Sequence, residues 1–389
     1  MSAPGMAIIG AGEAGVRAAF ALREQGYGGP VRLYSEEESL PYERPPLSKT
    51  DGAARPIMPG EAYAGQGIEL RLGTKVEGID LDGRALETSA GSERYDRLLI
   101  ATGAEARRLA GCPEALYLRR DSDAARILPR LEPGLRLAVI GAGLIGLELA
   151  ATARAKGAEV TVIETAPRIL GRAVLPELAQ LLAERHAAEG VRLVTGQGAV
   201  PVPGGLRLED GGMVAADMIV AGIGAAPRTD LAEAAGLEVA DGILVDAGHR
   251  SSAEHVFAAG DCCAIRQDGR SLRLESWRMA RDQGERAAAA MLGAAAMAAP
   301  LPYFWSDQYD LCLQVAGLPD PAAPSVARTL PGGRLLFQTA PDGRLASVSG
   351  LGTGTALSKD IKLAERLILR GARPAPEALA DPAQSLKRL

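Results

Sequence analysis

LRLAVIGAGLIGLELAATARAKGAEVTVIE, residues 135–164, carries four signals in a fixed order. The apolar run 135–140 predicts a buried strand, which opens into Gly141-Ala142-Gly143-Leu144-Ile145-Gly146. An apolar helical pattern follows, and a second apolar run, 160–163, stops at Glu164. Gly141 permits a tight turn, Gly143 lets the backbone approach a pyrophosphate, and Gly146 lets helix and strand pack closely. The helix start at Leu144 and Ile145 offers unbonded N–H groups and a positive dipole end to phosphates. Glu164 is placed to accept hydrogen bonds from both hydroxyls of an adenosine ribose. It would repel a 2'-phosphate, which favours NADH over NADPH. The next residues, Thr165-Ala166-Pro167-Arg168, put no arginine beside the acid; Arg168 and Arg172 remain candidates for the NADH pyrophosphate or adenine.

The bulk numbers set the frame. At 389 residues the chain exceeds what one hydrophobic core holds. Hydrophobic residues at 47% with charged residues at 23% describe a globular protein, and a net charge of −5 argues against generic nucleic-acid binding. The opening MSAPGMAIIGAG has no basic segment before its apolar run, so no signal peptide is expected. The alanine-rich stretch 287–299 is too short to span a bilayer. A cytoplasmic protein without membrane attachment is the expectation. Four cysteines (Cys112, Cys262, Cys263, Cys312) form no C-x-x-C pair and three histidines (His186, His249, His255) are scattered, so no metal site is expected. A vicinal pair such as Cys262-Cys263 can be redox-active; here both are expected as small residues packed at a helix start.

The beginning of the chain repeats residues 135–164. Ala7-Ile8-Ile9 leads into Gly10-Ala11-Gly12-Glu13-Ala14-Gly15, then a helix through Gln25, then a strand over 31–34 ending near Glu36. Glu13, a carboxylate in a pyrophosphate turn, is expected to point outward. A second echo pairs DRLLIATG, residues 96–103 with Ala101, Thr102 and Gly103 at its end, with DMIVAGIG, residues 217–224 ending Gly222-Ile223-Gly224. Two similar halves imply two bound dinucleotides. In LPYERPPLSK, residues 40–49, the prolines stiffen the backbone and fix Arg44, Ser48 and Lys49 in place. Residues 242–246 and 256–261 read as two more strands, the latter ending in Gly260-Asp261 before an expected helix. Asp261 there can accept hydrogen bonds from ribityl hydroxyls.

PYERPPLSK, LLIATGAEARRL, GAGLIGLELAATAR, VFAAGDC and PYFWSDQYDLCLQVAGL, in this order, resemble the FAD-dependent ferredoxin reductases of bacterial aromatic-ring dioxygenase and cytochrome P450 systems, and are most similar to the NADH-dependent reductases of biphenyl-type dioxygenases. The resemblance runs over essentially the whole chain. It implies an α/β fold with two Rossmann-like domains of the glutathione-reductase type and a small α+β C-terminal domain. The implied division is an FAD domain over 1–108 and 236–299, an NADH domain over 109–235, and a C-terminal domain over 300–389. It further implies electron passage from NADH through FAD, one at a time, to a [2Fe-2S] ferredoxin of plant or Rieske type, by a monomer or homodimer.

Residue by residue, the resemblance places Lys49 near the flavin and makes Glu148 an acid that faces the nicotinamide pocket and pairs with Lys49. Arg44 and Pro45 become FAD contacts, Glu36 the acid for the FAD adenosine ribose, and Thr102, Gly103 and Asp261 flavin contacts. The only tryptophans, Trp277 and Trp305, flank the flavin in such proteins. Because ferredoxins are acidic, Lys359, Lys362, Arg366 and Arg370 form a candidate docking face. Two other readings share the fold. A thiol-based NADH oxidase or disulfide reductase would need a cysteine where this chain has PYERPPLSK. An NADH-responsive binding flavoprotein similar to apoptosis-inducing factor would show a basic surface or a targeting segment.

Overall fold

A computed structural model describes residues 4–49, 52–172, 174–267 and 269–389. The first three residues of the expected leaderless start lie outside the described residues. The chain divides into two compact units, one of residues 1–46, 54–105 and 225–300, the other of 47–53, 106–224 and 301–389.

The first unit is built on five parallel strands in the order Val256–Ala258, Arg97–Ile100, Met6–Ile9, Val31–Tyr34, Ile68–Arg71. Every residue of Met6–Ile9 and Val31–Tyr34 is buried, as a central parallel strand covered on both faces requires. Helices Glu13–Glu24 and Trp277–Met291 cover one face, their packing made close by Gly284, where an added Cβ would stand 2.2 Å from the Ala14 carbonyl oxygen. On the other face Ile9, Leu98, Ile243, Cys262 and Cys263 share a core with Ala232 of the short helix Asp230–Ala234. Residues 225–235 thus belong with the first half and not, as the sequence division had it, with the second.

The expected helix after Gly260-Asp261 is absent. Cys263–Gln267 is a strand instead, parallel to Gly242–Val245 and antiparallel to Arg270–Leu272. Two strand partners outweigh local propensity here. Cys262 and Cys263 are therefore core residues of a sheet; Cys262 Sγ lies 3.3 Å from the Ala259 carbonyl and Cys263 Sγ the same distance from Gln283 Oε1.

The second unit repeats the design. Strands Arg192–Thr195, Glu159–Glu164, Arg136–Ile140 and Met218–Ala221 form a parallel sheet, with helix Leu144–Ala155 following the glycine turn. Its C-terminal part is an antiparallel sheet ordered Tyr303–Gln308, Leu311–Gly317, Leu345–Gly352, Gly333–Thr339, Val326–Leu330. Helix Gly354–Leu369 covers it with Leu357, Ile361, Ala364 and Leu367, spaced for one helical face. Among the described residues no helix is long and apolar enough to cross a membrane, and no group of three or more His, Cys, Asp or Glu could hold a metal ion.

Candidate functional site

The two glycine turns are geometric copies. Gly10 and Gly141 have φ of +103° and +99°, open to glycine and strained for any other residue. An added Cβ would stand 2.2 Å from the Ala101 carbonyl oxygen in the first turn and 2.4 Å from that of Gly222 in the second. At Gly15 and Gly146 it would meet the carbonyl oxygens of Gly10 and Gly141, at 1.9 and 2.3 Å. At Gly12 and Gly143 it would meet nothing within 4 Å. The first and third glycines of each motif are therefore required by the protein's own backbone. The middle ones face open space at a helix N-terminus, as a pyrophosphate needs. On this test the residues fit two dinucleotides.

Around the first turn, the Ala101 N–H bonds Ile9 O at 2.7 Å, and Gly103 turns with φ +70°. The Thr102 hydroxyl donates to Arg228 O at 2.7 Å while the Arg228 N–H donates to Gly103 O at 2.9 Å. The Arg228 guanidinium grips Glu36 with both nitrogens, at 2.7 and 3.1 Å. Arg228 was not found from sequence; it sits outside every motif, and only the fold brings it to the acid at the strand end. Arg44 lies over the Tyr42 ring at 5.6 Å and 3.4 Å from Glu37. Pro45 and Ser48 bound a short 3-10 turn. At Gly260, with φ +82°, an added Cβ would stand 3.1 Å from that of Ala14, and half-buried Asp261 follows. Trp277 opens helix Trp277–Met291, with the Arg281 guanidinium 5.6 Å from its ring centre.

Glu13 does not point outward. Its Oε2 is buried. Burial is the main cause that pushes its carboxyl up to about 7, against the pull of Arg281.

In the second unit Glu164 is fastened to the turn it serves. Its Oε2 accepts the Ala142 N–H at 2.8 Å and its Oε1 the Ala166 N–H at 2.9 Å. Ile145, the second residue of the following helix, is exposed, with Leu144 half-buried before it. Gly222 donates to Ile140 O at 2.7 Å, half-buried Ile223 follows, and Gly224 turns with φ +98°. Arg168 is turned onto its own loop, donating to the carbonyls of Gly171 at 2.9 Å and Val174 at 3.1 Å, among others. Arg172 beside it is exposed.

A polar cluster around buried Glu148 joins three separate stretches of this unit. Lys49 Nζ lies 2.8 Å from Glu148 Oε1, so the expected pair is present, and Nζ also donates to Asp307 O at 2.9 Å. Ser48 donates its hydroxyl to Glu148 Oε2, and Ser306 donates to Oε1 at 2.6 Å. Glu148 is buried; three donors compensate for taking its charge out of water. Thr152, one turn later on the same helix, donates to Ser48 O at 2.7 Å and fixes the segment that carries Lys49. Ser306 and Asp307 stood inside the FWSDQ motif without an assigned role; their alternation on strand Tyr303–Gln308 sends Ser306 to Glu148. Trp305, on the same strand, tilts against Tyr303 with ring centres 6.3 Å apart.

Thiol chemistry finds no support in these residues. The four cysteines are free, and Cys112, Cys262 and Cys263 are buried with thiols raised by desolvation. Burial, followed by a hydrogen bond to Asp307, pushes the Cys312 thiol up to about 12. Lys359, Lys362, Arg366 and Arg370 all lie exposed along helix Gly354–Leu369 and its C-terminal cap.

Residues 5–284 match the pyridine nucleotide-disulphide oxidoreductase family and residues 303–389 the reductase C-terminal family. The chain is 41% identical to the ferredoxin–NAD(+) reductase component of the anthranilate 1,2-dioxygenase system of Burkholderia cepacia, over 100% of this chain and 99% of that one. It is 40% identical to the rubredoxin–NAD(+) reductase of Pseudomonas putida, over 80% and 86%. Among solved structures, the covalent putidaredoxin reductase–putidaredoxin complex matches with a TM-score of 0.93 at 31% identity, over 100% and 98%.

Proposed function

This chain belongs to the pyridine nucleotide-disulphide oxidoreductase family, and from that premise we propose that it takes electrons from NADH through a bound FAD and delivers them singly to an iron–sulfur ferredoxin serving an oxygenase. The observation that carries the reading is half-buried Lys49 paired with buried Glu148 in a chain with two matching nucleotide turns and four cysteines whose thiols are held protonated. Bound FAD would supply the exchange of one hydride for two single electrons.

The protein's share is binding, orientation and charge. Gly10, Gly12, Ala14 and Gly15 with the start of helix Glu13–Glu24 would receive the FAD pyrophosphate. Glu36, Arg44, Pro45, Ser48, Ala101, Thr102, Gly103, Gly260, Asp261, Trp277 and Trp305 are proposed to complete the FAD site. For NADH we propose Gly141, Gly143, Leu144, Ile145 and Gly146 around the pyrophosphate, Glu164 on the adenosine ribose, and Arg168, Arg172, Gly222, Ile223 and Gly224 at its margins. Lys49, oriented by Glu148, would place a cation where the reduced flavin ring is richest in electrons. The FAD domain is proposed over 1–108 and 225–299, the NADH domain over 109–224, and the remainder, with Lys359, Lys362, Arg366 and Arg370, as the part that meets an acidic acceptor.

The test is a panel of acceptors with NADH: plant-type ferredoxin, Rieske-type ferredoxin and rubredoxin. NADH-dependent reduction of a [2Fe-2S] ferredoxin is expected. Turnover with rubredoxin alone would favour the second relative's acceptor, and turnover with none of the three would overturn the reading.

A further inference from the structure

We infer that His186, on helix Pro176–Ala188, is a positioning residue for the Lys49–Glu148 pair, acting through a hydrogen-bond chain of single polarity that ends on Glu148. The inference rests on the reading proposed above, in which that pair serves the reaction.

The chain is continuous. The Tyr309 hydroxyl lies 2.9 Å from His186 Nδ1, and His186 Nε2 lies 2.8 Å from Gln308 Oε1. Gln308 Nε2 donates to Ser306 Oγ at 3.0 Å, and Ser306 Oγ donates to Glu148 Oε1 at 2.6 Å. His186, Gln308, Ser306 and Glu148 are all buried, so solvent does not break the sequence of bonds.

Its direction follows from what each group can do. A carboxylate only accepts, so the Ser306 hydrogen goes to Glu148 and its lone pairs take the Gln308 amide N–H. The amide carbonyl then faces His186, whose Nε2 must carry hydrogen. Nδ1 is left bare to accept from Tyr309. One tautomer satisfies every link, and each donor points toward Glu148. Burial, the leading cause, holds the imidazole neutral by lowering its pKa, with the Arg185 charge acting the same way against Gln308 and Glu189.

The far end is held under strain. Tyr309 has φ +58°, a costly conformation for an aromatic residue. It is fixed there by its hydroxyl on His186 and by Arg185, whose guanidinium lies 4.9 Å from its ring centre. Arg185 is fixed in turn by Glu189 at 2.8 Å and by Asp310. Such bracing of a loop tip is what a chain with one permitted direction needs. Without the His186 donor the Gln308 amide is free to turn over. Ser306 would then donate to Gln308, and Glu148 would lose one of its three donors.

The experiment places His186→Leu and His186→Gln in the FAD-loaded protein, in wild-type and Glu148→Gln backgrounds, and measures the rate of flavin bleaching by NADH. His186→Leu is expected to slow it by about three- to tenfold, the equivalent of one lost hydrogen bond, with the KM for NADH unchanged. His186→Gln, which keeps a nitrogen near the Nε2 position, is expected to restore most of the rate. In the Glu148→Gln background His186→Leu should cost under about twofold. An equal loss in both backgrounds, or no loss in either, overturns the inference. Independently of turnover, nitrogen NMR of the histidines should show His186 as the neutral Nε2–H tautomer at pH 7. An Nδ1–H or doubly protonated ring there overturns it too, whether or not the leucine variant folds. If the wild-type protein takes no electrons from NADH, the proposed function fails while the NMR still decides the polarity.

Discussion

Gly143→Ala and Gly146→Ala, three residues apart in one turn, should fail in opposite ways. At Gly143 the backbone is extended (φ −79°, ψ 179°), a conformation alanine adopts freely, and the new methyl meets no protein atom within 4 Å. Its effect on folding is then set by the unfolded chain and the cap, terms of about 0.5–1 kcal/mol with opposite signs. Stability should therefore stay within about 1 kcal/mol of the parent. The methyl does occupy the space proposed for the NADH pyrophosphate. Holding the phosphates off the helix N–H groups should cost about 1.5–3 kcal/mol, or roughly ten- to a hundredfold in KM for NADH. At Gly146 the methyl would lie 2.3 Å from the Gly141 carbonyl oxygen and 3.2 Å from Val139 Cγ1. Backbone against backbone has no cheap escape, so this variant should lose about 1–3 kcal/mol of stability. Urea unfolding measures one quantity, and NADH titration with ferricyanide as a generic acceptor measures the other. A Gly143→Ala protein with wild-type KM, or a Gly146→Ala protein with undiminished stability, would refute the reasoning.

Further predictions concern charge and thiols. Glu148→Gln leaves Lys49 without its carboxylate and should slow flavin reduction by NADH about tenfold or more, at little change in KM; stopped-flow bleaching decides it. Glu13, raised to about 7 in the folded protein, binds its proton more tightly there than in the unfolded chain, so it subtracts stability as pH climbs from about 4.5 to 7 and by a constant amount above that. Glu13→Gln should therefore raise Tm at pH 8 and leave it unchanged near pH 4.5; a Tm gain equal at both pH values contradicts this. Treatment with a thiol-alkylating reagent should leave turnover with NADH intact, since three cysteines are buried and all four carry raised pKa values. Comparison of kcat/KM for the two nucleotides should favour NADH over NADPH by at least about tenfold, given Glu164 at the ribose.

Much of this architecture is written locally. The glycine turns, the strands that feed them and the acids that close them are each set by contiguous residues, because backbone geometry and period dictate them. The pairing of Lys49 with Glu148 was legible only through resemblance, for nothing within either stretch points to the other. What sequence could not yield is long-range. Arg228 reaches Glu36 across the fold, and His186 meets Gln308 and Tyr309 only because a helix and a hairpin share one unit. The missed strand at Cys263–Gln267 has the same origin, since its partners Gly242–Val245 and Arg270–Leu272 override a local helix signal. Glu13 misled because helix starts favour exposed acids, and its burial depends on neighbours that no window around residue 13 contains.

The most direct test mixes the purified chain with FAD, removes the excess and adds NADH without oxygen. The account predicts a yellow protein that holds about one flavin per chain, loses its visible absorption within a single NADH addition and regains it when a [2Fe-2S] ferredoxin is supplied. A chain that retains no flavin, or a bound flavin that NADH leaves oxidised, would contradict it.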